Sequence, residues 1–175
     1  GVFDIILTTG PFEQKIKEYV KNNFPKLNVT YVYNPAYEST NYIYSLYLAK
    51  DFIDDEVILM HGDMVFEKEV FKRLLNSKSR DCVLVNNKVK LPEKDFKAKI
   101  KNGKVCEISI NLFGKDCFFL APIYKFSQKS FLLWLAEIKK FVAVGNTQVY
   151  AENAFNNISE SIGMSAVYFD DSFCM

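Results

Sequence analysis

YNPAYESTNYIYSLYLAKDFIDDEVILMHGDMVF, running from Tyr33 to Phe66, is the stretch that decides the fold. Asn34 precedes Pro35, and a residue before proline is pushed out of helical geometry, so the extended run before it should stop here. Ser39, Thr40 and Asn41 are good helix caps placed just ahead of an apolar run. From Tyr42 to Phe52 apolar and aromatic residues occupy almost every face, which predicts a helix covered on more than one side. Asp54-Asp55 breaks that helix, and Val57-Ile58-Leu59-Met60 reads as a short strand of the central, parallel kind. His61-Gly62-Asp63 follows at its carboxyl end. In open parallel α/β sheets ligands sit at that end of the strands, so Asp63 is a candidate ligand for a divalent cation. The competing reading is a cap for the next helix, predicted from about Glu67 to Asn76.

The words on both sides of Asp54 also carry a resemblance. VTYVYNPAYESTNYIYSLYLAKDF followed by DEVILMHGDMVFE resembles the nucleotidyltransferases that activate small phosphorylated alcohols and sugars, and most of all the cytidylyltransferases acting on phosphocholine and related compounds. That resemblance implies a three-layer, Rossmann-like α/β fold of the GT-A-like kind. Its mixed sheet carries helices on both faces and a small β-hairpin insertion, in a single domain over residues 1–175. It implies a CTP-dependent transferase that moves a cytidylyl group to a phosphocholine-like or sugar-phosphate acceptor and releases pyrophosphate. Asp63 then matches the magnesium ligand. Asn41 and Ser45, one helical turn apart, match the face that meets the base, with Tyr42 standing where the family has a second asparagine. Lys97 is the best match to a lysine near the acceptor phosphate, and Glu152, in Tyr150-Ala151-Glu152-Asn153, to a glutamate facing the acceptor. By their residue types alone, Asn41 and Ser45 could equally be a cap and a small packing residue, and Glu152 a surface residue.

The resemblance also implies parts not seen in these 175 residues. The family's glycine-rich first strand, which clamps the triphosphate, has no counterpart before Gly1. The family's Glu-Ile-Asp, which supplies a second metal ligand, has none after Asp170 and Asp171. The expectation is therefore a segment truncated at both ends, with two strand edges left unpaired and open to self-association. The alternative is a nucleotide-binding or structural relative that has lost catalysis. A glycosyltransferase of similar topology ranks lower, since no Asp-x-Asp pair is present.

Composition sets the outer limits. With 49% hydrophobic and 15% aromatic residues there is ample material for a core, and a net charge of +1 argues against an electrostatic footprint for nucleic acid or an anionic membrane. Cys82, Cys106, Cys117 and Cys174 lack metal-site spacing, so reduced thiols in a cytoplasmic protein are expected. Elsewhere the sequence predicts a strand over 3–9, a helix from Phe12 to Asn22 and a strand from Val29 to Tyr33. Thr8-Thr9-Gly10-Pro11 offers too few free amides to cradle a triphosphate. Alternation over 96–100 and 105–110 around Asn102-Gly103 predicts a hairpin. Within CFFLAPIYKF, Cys117 to Phe126, Pro122 marks an edge or a bulge. Ser127 should cap a helix through Phe141 whose core face is Phe131, Leu132, Leu135 and Ile138, with Trp134 as packing. A last helix runs from Thr147 to Gly163, and a strand over 166–169 closes the chain.

Overall fold

The computed structural model describes residues 4–170, 173 and 174 of the chain. It divides into two compact units, one comprising residues 1–54 and 138–151, the other 55–137 and 152–175.

The first unit holds a parallel pair of strands, β1 (Asp4–Thr9) and β2 (Asn28–Tyr33), in register from Asp4 opposite Asn28 to Thr9 opposite Tyr33. They are joined through helix α1 (Glu13–Asn23). The sequence gives α1 an apolar side at Phe12, Ile16, Tyr19 and Val20. None of these is fully buried, and Phe12 stands 71% exposed with a left-handed φ of 64°. After β2 the chain turns at Asn34-Pro35 into helix α2 (Tyr42–Ala49), which ends in a 3-10 turn at Lys50–Phe52. Ile43, Leu46 and Ala49, spaced by three, make its fully buried stripe, and its other side chains are half-covered, as the all-round apolar pattern requires.

The second unit is built on a mixed sheet. Its strands are β3 (Val57–Met60), β4 (Cys82–Asn86), β5 (Lys97–Lys101), β6 (Lys104–Ser109), β7 (Cys117–Phe126) and β8 (Ser165–Tyr168), ordered β3-β7-β4-β8-β6-β5. β7 is long enough to pair three times. Its start lies against β5, its middle against β4 and its end against β3. The hairpin therefore does not stand apart: β5 adds to β7 and β6 meets β8. Asn102 and Gly103 both take positive φ, 50° and 73°, the geometry of a two-residue hairpin turn that matches strand twist.

One reading of this sheet needs correction. Among the described residues β3 is an edge strand, antiparallel to β7; Val57, Ile58 and Leu59 are half-buried and Met60 is exposed, because an apolar run short of neighbours on one side packs on its faces without closing its ladder. Pro122 takes the second of the two places expected for it, a bulge within the sheet. The ladder steps from Val83 opposite Tyr124 to Leu84 opposite Ala121, so Pro122 and Ile123 form a bulge that excuses the missing N–H.

Helices cover both faces of this sheet. Helix α3 (Lys68–Asn76) sets Val70 and Leu74 against Cys82, Leu84, Ala121 and Ile123, while Leu75 is exposed. On the opposite face Tyr124, Phe126, Phe131 and Trp134 stack in an aromatic cluster that reaches Phe155. Trp134 is packing, as its surroundings in sequence suggest. Helix α4 (Gln128–Ala143) begins at Ser127, whose hydroxyl accepts from the Ser130 N–H, and it buries Phe131, Leu135 and Ile138 but leaves Leu132 exposed. The last helix is two: α5 (Ala151–Asn156) and α6 (Ser159–Ile162). The break places the Asn156 amide on both the N–H and the carbonyl of Ile108, at 2.8 Å each, and the Ser159 hydroxyl on the Cys106 carbonyl. Gly163 ends α6 in the left-handed conformation.

Candidate active site

Asp63 lies in a two-residue turn, Gly62-Asp63, directly beyond the carboxyl end of β3, and it is exposed. The turn is pinned on both sides. The His61 N–H reaches the carbonyl of the bulge residue Pro122 at 3.3 Å, while Met64 and Phe66 pack into the core between α3 and the sheet. Asp63 is thus held outward on a short, fixed loop. It does not cap α3, whose N-cap is Glu67. A Cβ added to Gly62 meets nothing within 4 Å, so the turn is open at its glycine. Phe173 and Cys174 run past the same loop, with the Glu67 N–H bonded to the Phe173 carbonyl at 2.9 Å and Cys174 bridged to Phe66. Asp170 is half-buried and its carbonyl accepts from the Asn86 amide at 3.0 Å; Asp171 lies outside the described residues.

Two residues before Asp63 in the chain, His61 adjoins a buried polar pair. The Tyr124 hydroxyl donates to Glu152 Oε1 at 2.7 Å, and the same oxygen lies 4.0 Å from His61 Nε2. Glu152 is 1% exposed, so the residue expected to face the acceptor is inside the protein. Burial and then the Glu152 charge push the Tyr124 hydroxyl well above its usual pKa. The His61 ring sits edge-on to Phe96, with centroids 5.9 Å apart.

Phe96 leads into Lys97 on β5. The Lys97 side chain is fully buried, with its amine hydrogen-bonded to the carbonyls of Glu93 (3.2 Å) and Ile110 and 4.4 Å from the centre of the Phe113 ring. Burial lowers its pKa, since the charged form loses hydration.

Asn41 and Ser45 belong to the other unit. Asn41 is the N-cap of α2: its side-chain oxygen accepts from the Tyr42 N–H at 2.7 Å, and its own N–H bonds the Thr147 carbonyl at 2.8 Å. Ser45 accepts from Asn34, whose amide nitrogen also donates to the Thr40 hydroxyl, both at 3.1 Å. Asn34 Oδ1 takes the Ala36 N–H at 2.9 Å. This buried asparagine is the hub of the loop before α2, and sequence reasoning gave it no role beyond ending a strand. Its signal was present, since Asn before Pro favours turns in which the side chain bonds the backbone two residues on. His61 was passed over as well, although it is the chain's single histidine.

Among the described residues no three His, Cys, Asp or Glu side chains gather into a metal cage. One exposed carboxylate suits magnesium held jointly with substrate phosphates and water, which is how that ion is usually bound.

Comparison with known proteins agrees with the resemblance read from the sequence. The profile of the family described as Domain of unknown function (DUF6564) matches residues 2–98. A curated relative, the CMP-5'-(3-aminopropyl)phosphonate synthase of Streptomyces rubellomurinus, is 35% identical over 74 residues, which is 42% of this chain and 12% of that protein. The chain therefore spans about an eighth of the curated relative it matches. Among solved structures, the inositol-1-phosphate CTP transferase from T. maritima superposes with a TM-score of 0.78 at 17% identity, over 99% of this chain and 69% of that one. A putative glucose-1-phosphate thymidylyltransferase from Bacillus anthracis gives 0.76 at 19%, over 98% and 70%. The CTP:phosphocholine cytidylyltransferase from Streptococcus pneumoniae gives 0.72 at 19%, over 99% and 72%. At such identities the likeness is one of fold, and the fold is that of the nucleotidyltransferases.

Proposed function

We propose that this chain, which belongs to the family described as Domain of unknown function (DUF6564), is a nucleotidyltransferase domain that transfers CMP from CTP to a small phosphate- or phosphonate-bearing acceptor. An acceptor oxygen attacks the α-phosphorus of CTP, the bond to the β-phosphate breaks, and pyrophosphate leaves. The acceptor is already an anion, so no general base is required. Cytidine is favoured because three of these relatives are named for CMP or CTP, and each is named as well for a phosphorylated compound or a phosphonate.

One observation carries the reading: Asp63 is held outward on a pinned turn at the tip of β3, with open space beside Gly62. A carboxylate with neither a cap nor a core to serve, at a strand end, is what metal-assisted phosphoryl chemistry uses. Asp63 would hold magnesium together with the triphosphate, and the ion when bound would neutralise charge developing on the phosphates. The resemblance assigns Lys97 to the acceptor side, and its buried amine is held by the carbonyls of Glu93 and Ile110. Ser45 and Asn41 offer hydroxyl and amide groups to a pyrimidine edge. A second reading, a relative that binds nucleotide without turnover or serves only structure, is favoured by one fact. The Asn41 oxygen and the Ser45 hydroxyl already serve the start of α2.

Calorimetric titration with CTP and with ATP, with and without magnesium, tests the first reading alongside pyrophosphate release from phosphocholine and 3-aminopropylphosphonate. Magnesium-dependent binding selective for CTP, followed by release, is the expected result. Absence of binding to the folded chain would overturn it, and binding without release would favour the second reading.

A further inference from the structure

Asn34 is 2% exposed, and one of its contacts fixes the direction of the others. Its Oδ1 accepts the Ala36 N–H at 2.9 Å. A backbone N–H can only donate, so the amide cannot be turned end for end. Nδ2 therefore donates to the hydroxyls of Thr40 and Ser45, both at 3.1 Å. The Thr40 hydroxyl passes its own proton to the Ala36 carbonyl at 2.8 Å. Ser45 differs. Among the described residues its oxygen accepts from Asn34, and its proton goes to no protein acceptor. Asn41, one turn earlier on the same helix, has the same polarity: Oδ1 takes the Tyr42 N–H at 2.7 Å, which leaves the two Nδ2 donors unengaged. Both residues are half-buried, and all of these groups belong to the first unit.

From this polarity we propose that Asn34 is a positioning residue that sets which nucleobase the chain reads. By donating to Ser45 it leaves Ser45 and Asn41 as a pair of donors, and the pair fits the adjacent acceptors O2 and N3 of cytosine. The inference rests on the nucleotidyltransferase reading and deepens it. Uracil carries a donor, N3–H, between its two carbonyl acceptors and would set donor against donor. Adenine presents the N1 acceptor beside the N6 donor. Guanine has adjacent acceptors at O6 and N7, on the edge of a larger, bicyclic base. A donor left facing a donor in a half-buried site costs more than a made hydrogen bond gains, which is how such a site rejects the wrong base. The bonds that the Asn41 and Ser45 oxygens make at the start of α2 thus give this face its sign, and leave its donors to the ligand.

The test is the ratio of dissociation constants for UTP and CTP, measured with magnesium on the folded chain alongside ATP and GTP. The parent should favour CTP over UTP by about tenfold, the scale of one mismatched hydrogen bond. Ser45→Ala removes one donor and should cut that preference by about fivefold. Asn34→Asp keeps the acceptor for the Ala36 N–H but replaces the Nδ2 donor with an oxygen. The Ser45 proton is then drawn inward and its oxygen faces the ligand, so the preference should shift from CTP toward UTP. With Ser45→Ala already in place, the same change at position 34 should leave the ratio where it is, because it acts through Ser45. A purely structural Asn34 would weaken CTP and UTP alike in Asn34→Asp, which overturns the proposal. If Asn34→Asp does not fold, Ser45→Ala decides: an unchanged ratio overturns it. A parent chain that binds UTP as well as CTP, or GTP better than CTP, sinks this inference and leaves the nucleotidyltransferase reading standing. If no nucleotide binds the folded chain, that reading falls, and the inference with it.

Discussion

The Tyr124 hydroxyl donates to Glu152 Oε1 across 2.7 Å, and neither side chain is more than 1% exposed. A buried carboxylate is costly unless its oxygens are satisfied, so this bond matters more than a surface contact of the same length. Tyr124→Phe keeps the ring stacked on Phe126 and removes only the donor. It should cost about 1–3 kcal/mol, read as a lower urea midpoint at unchanged slope.

The same hydroxyl gives a pH dependence of known sign. Its folded pKa lies above the ordinary 10.0, so between those values the unfolded chain has released a proton that the native state keeps. Stability is then complete below pH 10 and falls as pH rises from there toward the folded pKa. Tyr124→Phe should flatten that alkaline slope in denaturation curves taken above pH 9.5 or so, whatever it does to stability at neutral pH. An unchanged slope would mean that Tyr124 ionises freely.

Asp63→Asn should abolish pyrophosphate release while leaving stability within about 0.5 kcal/mol, because the residue is exposed and caps no helix. Circular dichroism melting and the release assay, run on one preparation, separate the two effects. Full turnover in the variant would remove Asp63 from the site.

Asn34→Leu should destabilise the loop before α2 by about 2–4 kcal/mol. The side chain keeps its bulk, but three hydrogen bonds go and the Ala36 N–H loses its acceptor. Amide hydrogen exchange should show faster exchange at Ala36 and along the first turn of α2, with β4 and β7 protected as before. Equal acceleration in those strands would mean that this loop and the sheet open as one.

Two glycines should respond in opposite ways to alanine. At Gly163, φ is +60°, so Gly163→Ala should cost about 1–2 kcal/mol of stability. At Gly62 no positive φ is required and the added methyl meets open space. Gly62→Ala should therefore melt like the parent chain, and its effect should appear in the binding of CTP with magnesium.

Much of this was written in local sequence. Asn102-Gly103 specified the hairpin turn because few other pairs take positive φ twice in succession. Gly163 marked a helix end for the same steric reason. The apolar run over 57–60 specified a strand, and the words around Asn34 and Asp63 specified the nucleotidyltransferase fold. These features depend on backbone sterics and side-chain period, which act over a few residues.

Only the tertiary structure decided which strand lies beside which, and therefore which side chains meet. That β3 is an edge, and that Pro122 sits in a bulge whose carbonyl receives His61, depends on pairing with a strand more than sixty residues away. Glu152 reads alone as a surface helix residue or as an acceptor contact. It is buried because the fold brings Tyr124 and His61 against it, and burial is a property of the assembled neighbours that no single stretch contains.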